Sequence, residues 1–317
     1  MGRTNGPLFI FPAAQRGPPQ TMRITILGTG AMACVIGARL AAVAPQALAL
    51  VGTWSDSLAA IRRRGIVLLD PAGTHAYPAQ AFHLGQPVPP AEIVLVLVKA
   101  WQTAAVAPYV PDLVKPGGVV ISLQHSLGNL EQLGPAACLG VTETAAELIE
   151  PGYASAGPED PISLAAPAWA VEVFRHAGFD VRAVSAEAAA GLLWGRLAIR
   201  CGLEALSAIL REPYGRLYAH PDARLLIDRA ATECALVAWA QHLTLPFADP
   251  LFAVQHAAEQ GAQLISPMAR DLRRRTPTEV DALNGAVTQA GFRAGVHTTV
   301  NEILWRQVRA LAAQAEG

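Results

Sequence analysis

The sequence predicts an α/β protein with a doubly wound parallel sheet in its N-terminal part and an all-helical C-terminal domain. Three observations carry this. The apolar run Ile24–Leu27 leads directly into the turn Gly28-Thr29-Gly30-Ala31-Met32-Ala33, and the helix-forming stretch Cys34–Ala44 follows. Short apolar runs then alternate with helical stretches, as in a sheet with right-handed crossovers. From about Ala186 the apolar spacing changes to a helical period and keeps it.

Taken in order, Ala47–Val51 reads as a second strand and Ser55–Arg64 as the helix it feeds. Ile66–Leu69 and Ala79–His83 read as short strands. Glu92–Val98 is almost wholly apolar, as expected of a parallel strand buried on both faces, and Gly118–Leu123 is another such run. Gly152–Leu164, rich in Gly, Pro, Ser and Ala, is expected to close the sheet with hairpin-like strands. Glu187–Ile209, Ala223–His242, Pro250–Gln260, Thr278–Ala290 and Thr299–Ala313 are the helical candidates, punctuated by Pro213, Gly215, Pro221 and Pro246. The expected organisation is a leader over 1–21, a nucleotide-binding domain over 22–186 and a helical substrate or dimerisation domain over 187–317.

Composition narrows the function. The chain has 317 residues, 52% hydrophobic and 15% charged, which is ample for a large core. A net charge of −1 gives no basic field for nucleic acid or an acidic membrane, so a small-molecule partner is expected. Cys34, Cys138, Cys201 and Cys234 lie far apart without C-x-x-C pairs and read as buried thiols of a reducing compartment. The leader Met1–Thr21 has only a short apolar portion broken by Pro12, and reads as a disordered tail rather than a signal peptide. No run approaches the ~20 apolar residues of a membrane span. The protein is therefore expected to be soluble and cytoplasmic. Its alanine-rich helices have the composition for a homodimer, although no apolar stripe establishes one. No H-x-x-x-H or H-E-x-x-H spacing points to a metal.

The glycine turn carries chemistry of its own. Gly28 permits a tight exit from the strand, Gly30 lets backbone amides approach a pyrophosphate, and Ala33 lets the helix pack closely on the sheet. G-x-G-x-x-A between a strand and a helix is the setting of a Rossmann-type dinucleotide site. At the end of the second strand the chain reads Val51-Gly52-Thr53-Trp54-Ser55. The carboxylate that an NAD site places there to accept from the ribose hydroxyls is missing. Thr53 and Ser55 could instead bond a 2′-phosphate, helped by Arg62 or Arg63, so NADP(H) is favoured over NAD. Arg62–Arg64 also fit a solvated helix end near its negative pole.

Four motifs in order resemble the ketopantoate reductase (2-dehydropantoate 2-reductase) family, over essentially everything from Met22 onward. They are the turn ending in Gly30-Ala31-Met32; Val98-Lys99-Ala100-Trp101-Gln102-Thr103, similar to V-K-x-x-Q-T; Ser122–Asn129, similar to the family's L-Q-N-G-x-G-N; and Arg275–Gly285, similar to R-x-P-T-E-I-D-x-I-N-G. The resemblance implies hydride transfer from NADPH to the ketone of a 2-oxo acid. It implies that Gly28, Thr29, Gly30, Ala31 and Met32 line the cofactor, that Lys99 contacts it beside the nicotinamide ribose, and that Glu279 joins that ribose to the catalytic centre. Lys99 also fits a strand-end cap, and Glu279 a carboxylate at a helix N-terminus.

The substrate half departs from the family pattern. In Trp194-Gly195-Arg196-Leu197-Ala198-Ile199-Arg200, aligned with W-x-K-x-x-x-N, the family's catalytic lysine is Arg196 and the asparagine is Arg200. A second asparagine is Glu204, Tyr214 stands before Gly215 where asparagine is common, Pro267 replaces a serine beside Ser266, and the asparagine of L-Q-N-G is His125. Arginine stabilises developing negative charge but is a poor proton donor. His125 is therefore the first candidate for the proton, with Glu204 or water as alternatives; it also fits a hydrogen-bonded loop histidine.

Arg196, Arg200 and Glu204, four residues apart, share one helix face. They either clamp a carboxylated substrate, together with Tyr214 and Ser266, or close on themselves as an Arg200–Glu204 ion pair. Trp101 and Tyr214 either narrow the pocket or simply pack.

The expectation is an NADP(H)-dependent oxidoreductase acting on the carbonyl of a small 2-oxo-acid-like substrate other than ketopantoate. The catalytic residues would be Arg196, His125 and Glu279. The alternatives are a catalytically silent NADP-binding regulatory or scaffold protein, and an imine or opine-type reductase in which Glu204 meets an amine.

Overall fold

The computed structural model describes residues 22–43, 47–157 and 161–316. The expected leader lies outside the described residues. The chain begins with β1 (Ile24–Leu27), α1 (Ala31–Val43), β2 (Leu48–Gly52), α2 (Ser55–Arg64), β3 (Ile66–Asp70), β4 (Gly73–Tyr77) and β5 (Gln80–His83). The buried strand β6 (Ala91–Val96) follows, then the single turns α3 (Thr103–Val106) and α4 (Val110–Leu113), then β7 (Val114–Ser122), α5 (Asn129–Leu133) and β8 (Ala137–Thr142). β9 (Ala146–Glu150), β10 (Tyr153–Ala156), β11 (Ile162–Leu164), α6 (Ala168–His176) and β12 (Val181–Ala183) complete the strands. Beyond them the described residues hold only helices: α7 (Ala186–Leu210), α8 (Tyr214–Ala219), α9 (Pro221–Ala240), α10 (Pro250–Gln260), α11 (Pro267–Arg273), α12 (Ala286–Ala294) and α13 (Thr299–Glu316).

The main sheet has the order β12-β11-β8-β7-β6-β1-β2-β5. The six strands from β8 to β5 are parallel; β11 pairs antiparallel with β8 and carries β12 with it. β1 and β6 are apolar and buried because both sheet faces are covered. One face carries α1 and α6, and the other α3 and α4.

Three expectations need correction. Ile66–Leu69 is a strand, but it belongs to a second sheet of order β4-β3-β10-β9. Of Gly152–Leu164 only β11 joins the main sheet, while β10 pairs with β3 and β9. This small sheet packs on the outer side of α1, which is thereby held between two sheets. The helix expected from Thr278 starts instead with a π-turn, Asp281–Gly285, that runs into α12. A Cβ at Gly285 would come within 2.7 Å of the Trp305 ring, so only glycine lets α13 approach there.

The 25-residue helix α7, about 37 Å long by the α-helical rise, is the axis of the helical part. α9, α10, α11 and α13 surround it, and it also touches β8. Ser185 caps it by accepting from the Ala188 N–H at 3.1 Å. Cys34, Cys201 and Cys234 are buried free thiols, whereas Cys138 is only half-buried, contrary to expectation. Burial pushes the Cys34 thiol up to about 12, leaving it unreactive. No helix among the described residues is long and apolar enough to cross a membrane.

Candidate active site

The parallel strands β1, β2, β6 and β7 all end at one edge of the sheet, and each delivers a candidate residue there. After β1, Gly28 has φ +133° and donates its N–H to Val51 O at 2.8 Å. A Cβ on Gly28 would stand 3.0 Å from the Leu97 carbonyl, so both conformation and space require glycine. A Cβ on Gly30 would meet nothing within 4 Å. That open space lies against the N-terminus of α1, whose first turn carries no acidic side chain. The positive end of the helix dipole is thus left for an anion, and the turn fits a dinucleotide pyrophosphate.

Thr29 turns its buried side chain inward against Gly52, and its carbonyl accepts from Ser57 Oγ at 3.0 Å. Its main chain is the part that borders the turn. Ala31 and Met32 form the first turn of α1, half-buried. After β2, Thr53 and Ser55 stand exposed on the rim. Arg62 and Arg63 do not join them. They lie at the far end of α2, about 10 Å away by helical rise, and Arg62 Nε donates to Ala81 O at 2.7 Å.

After β6, Lys99 Nζ lies 3.1 Å from Asp271 Oδ2 and 3.6 Å from Glu279 Oε2. Asp271, on α11, has no counterpart among the residues expected from sequence. It sits in the strongly basic stretch Arg270–Arg275 and nothing local marks it. Glu279 Oε1 accepts from the Ala100 N–H at 2.9 Å, and its Oε2 lies 3.9 Å from Arg200. Burial alone would raise the Glu279 pKa, but the Lys99 and Arg200 cations outweigh it and hold the carboxyl below its ordinary value. Burial likewise opposes the Lys99 charge, yet Glu279 and Asp271 raise its pKa on balance. Both groups are charged at neutral pH.

Three residues of the motif anchors hold the loops rather than a ligand. Buried Gln124 donates to Val98 O at 2.9 Å and to Thr103 Oγ1 at 2.8 Å, and Thr103 donates to Asn129 Oδ1 at 3.1 Å. This network joins the loops after β6 and β7.

On α7, Arg200 is fully engaged. Its Nε lies 2.5 Å from Glu204 Oε1, one terminal nitrogen donates to Glu204 Oε2 at 3.4 Å, and the other donates to the His125 carbonyl at 2.7 Å. The expected pair of guanidinium groups clamping one substrate is therefore not formed: Arg200 and buried Glu204 close on each other. Arg196, one turn earlier, faces the loop after β8, 3.7 Å from the exposed carboxylate of Glu143. Tyr214 is half-buried beside this cluster; burial, then the Glu204 charge, raises its phenol pKa and keeps it protonated.

Two expected roles find no support in the geometry. Ser266 is completely buried, donates to Glu204 O at 3.1 Å, and caps α11 by accepting from the Ala269 N–H at 2.9 Å. Its hydroxyl is committed and does not reach the cleft. His125 Nε2 accepts from the Thr142 N–H at 3.3 Å, and burial with the Arg196 and Arg200 charges holds its pKa well below 6.5. A ring held neutral by its surroundings is a poor acid, which argues against the proton-donor role expected of His125.

This environment gives a prediction. The unfolded chain takes a proton on this ring below about pH 6.5 and the folded chain does not. Its contribution to stability is complete above pH 6.5 and declines as the pH falls below it. Histidine-ring NMR shifts at pH 6 should report His125 neutral; titration at the ordinary value would contradict this arrangement.

A family model described as "Ketopantoate reductase PanE/ApbA" matches residues 24–168, and one described as "Ketopantoate reductase PanE/ApbA C terminal" matches 189–312. A 2-dehydropantoate 2-reductase of Halobacterium salinarum is 28% identical over 282 residues, 84% of this chain and 91% of that protein. One from Archaeoglobus fulgidus is 27% identical over 306 residues, covering 92% and 98%. The crystal structure of a PanE/ApbA family ketopantoate reductase from Ralstonia eutropha JMP134 superposes with TM-score 0.86 at 26% identity, covering 93% of this chain and 100% of that one. D-mandelate dehydrogenase with NADH and anilino(oxo)acetate superposes with TM-score 0.84, covering 93% and 100%; at 20% identity it shares the fold.

Proposed function

This chain belongs to the ketopantoate reductase PanE/ApbA family, and from that premise we propose that it is an NADP(H)-dependent reductase of a small 2-oxo acid other than ketopantoate. Residues 22–186 would hold the cofactor and 187–317 would complete the substrate side. The observation that carries the reading is the convergence of Lys99, Glu279 and Arg200 beside the open glycine turn, with Arg196 one helical turn away on α7. It is a site for a dinucleotide next to a cationic place for a carbonyl.

Bound NADPH supplies a hydride from the nicotinamide ring. The turn Gly28–Met32 would receive the pyrophosphate, and Thr53 and Ser55 on the exposed rim would bond the 2′-phosphate. Lys99 and Glu279 hold the nicotinamide-side ribose. Arg196 takes the carbonyl oxygen and stabilises the alkoxide that hydride attack creates. Arg196 stays protonated and His125 stays neutral, so the proton that completes the alcohol comes from solvent. Glu204, the carboxylate that an imine substrate would require, is bound by Arg200, which favours a carbonyl over an imine.

The experiment is steady-state loss of nicotinamide absorbance with NADPH or NADH and a panel of 2-oxo acids that includes ketopantoate. NADPH is expected to exceed NADH by about tenfold in kcat/KM, equivalent to ~1.4 kcal/mol, with another 2-oxo acid outrunning ketopantoate. Tight NADPH binding with no turnover on any carbonyl would replace this reading with that of a silent cofactor-binding protein.

A further inference from the structure

A cavity of about 700 Å³ lies behind the loop that carries His125, away from the site just described. Its wall is mixed: Leu127, Leu193, Trp194 and Leu243 supply apolar surface, Gln124, Ser126 and Asn129 supply polar surface, and α12 lines one side with Ala286, Gln289, Ala290 and Arg293. Lys99, His125, Arg196, Arg200 and Glu279 are all absent from its lining. We propose that this cavity is a second small-molecule site, for an amphiphilic monoanion with an apolar body and one acidic head group.

The volume falls within the ~300–1,000 Å³ of small-molecule sites. Covering the part of this wall that Leu127 and Leu243 leave open is favourable in proportion to the apolar area removed from water. The charge of the ligand follows from Arg293. That residue lines both the cavity and an adjoining recess of about 240 Å³, and it makes no ion pair among the described residues. Glu131, also in the lining, lies in the first turn of α5, whose amides already favour a carboxylate.

The cavity and the reaction site share a thin wall. Gln124 and Ser126 face the cavity, while His125 between them bonds to Thr142 and holds Arg200 through its carbonyl. Asn129 Nδ2 donates to Ser126 Oγ at 2.7 Å, and Gln124 bonds to the Val98 carbonyl next to Lys99. A ligand seated here fixes the loop that both Arg200 and Lys99 depend on, which is the position of an effector.

The test is fluorescence titration of the full chain, in saturating NADP⁺, with 8-anilino-1-naphthalenesulfonate and with N-phenyl-1-naphthylamine, which has the same rings and no sulfonate. One saturable sulfonate site per chain is expected. Gln289→Trp, at an exposed position of the mouth, should abolish both signals. Arg293→Glu should weaken the sulfonate about tenfold or more, ~1.4 kcal/mol, and leave the amine unchanged. Thermal melting checks that each variant is folded, and Ala286→Leu replaces Gln289→Trp if that variant melts early. Absence of a saturable site, binding that survives the plug, or equal loss of both probes in Arg293→Glu would overturn the proposal.

Discussion

Arg196→Ala is expected to lower kcat by about 10²–10³-fold with the best 2-oxo acid, the range seen when a donor to a developing oxyanion is removed. Arg196 projects from the middle of α7 toward the loop after β8, where it lies 3.7 Å from an exposed carboxylate. Such a contact is weak and yields readily to a ligand. Arg200, by contrast, has an acceptor at each of its three nitrogens. The interaction with the alkoxide strengthens only as charge develops, so the loss should fall on kcat more than on KM. Arg196→Lys should keep much of the rate, because an ammonium also stabilises the oxyanion. It should also add a dependence on pH that arginine does not have. An unchanged kcat in Arg196→Ala would show that the carbonyl oxygen is held elsewhere.

The largest loss of stability is expected from Arg200→Ala. The substitution leaves the Glu204 carboxylate buried without its bidentate partner, and breaking a buried pair from one side costs about 3–5 kcal/mol. It also removes the donor to the His125 carbonyl, which ties α7 to the loop after β7. Replacing both charges by apolar residues of similar size, Arg200→Met with Glu204→Leu, should recover most of that stability. The double variant should still bind cofactor less well, because Glu279 loses one of the two cations that keep it ionised. Thermal melting of the two single variants and the double variant measures the coupling. Full additivity would mean that the pair contributes nothing as a pair.

The nucleotide half was legible because its signals are local. An apolar strand, a glycine turn and a helix lie within twenty residues, and β6 is apolar throughout because both sheet faces are covered. The second sheet was not legible. β4 and β9 are largely exposed strands of mixed composition, and β3 finds β10 across more than eighty residues of sequence. The same division runs through the site. Lys99 and Glu279 sit in compact motifs, whereas Asp271 reaches Lys99 only because α11 folds back over the cleft. Ser266 reads as a surviving polar contact, yet its hydroxyl is consumed by capping a helix whose start the periodicity did not mark. His125 reads as an acid because its ordinary pKa suits one. The two guanidinium groups that suppress its protonation come from residues more than seventy positions away.

The confinement of α1 between two sheets has an evolutionary consequence. The glycine turn after β1 is fixed when the chain folds, since α1 is packed on both sides and Gly28 tolerates no side chain. Thr53 and Ser55, by contrast, stand on an exposed rim whose side chains support nothing in the core. If the rim reads the nucleotide as proposed, foldability and nucleotide preference are separable traits: single substitutions on the rim can retune one while the scaffold beneath it stays under a constraint of its own.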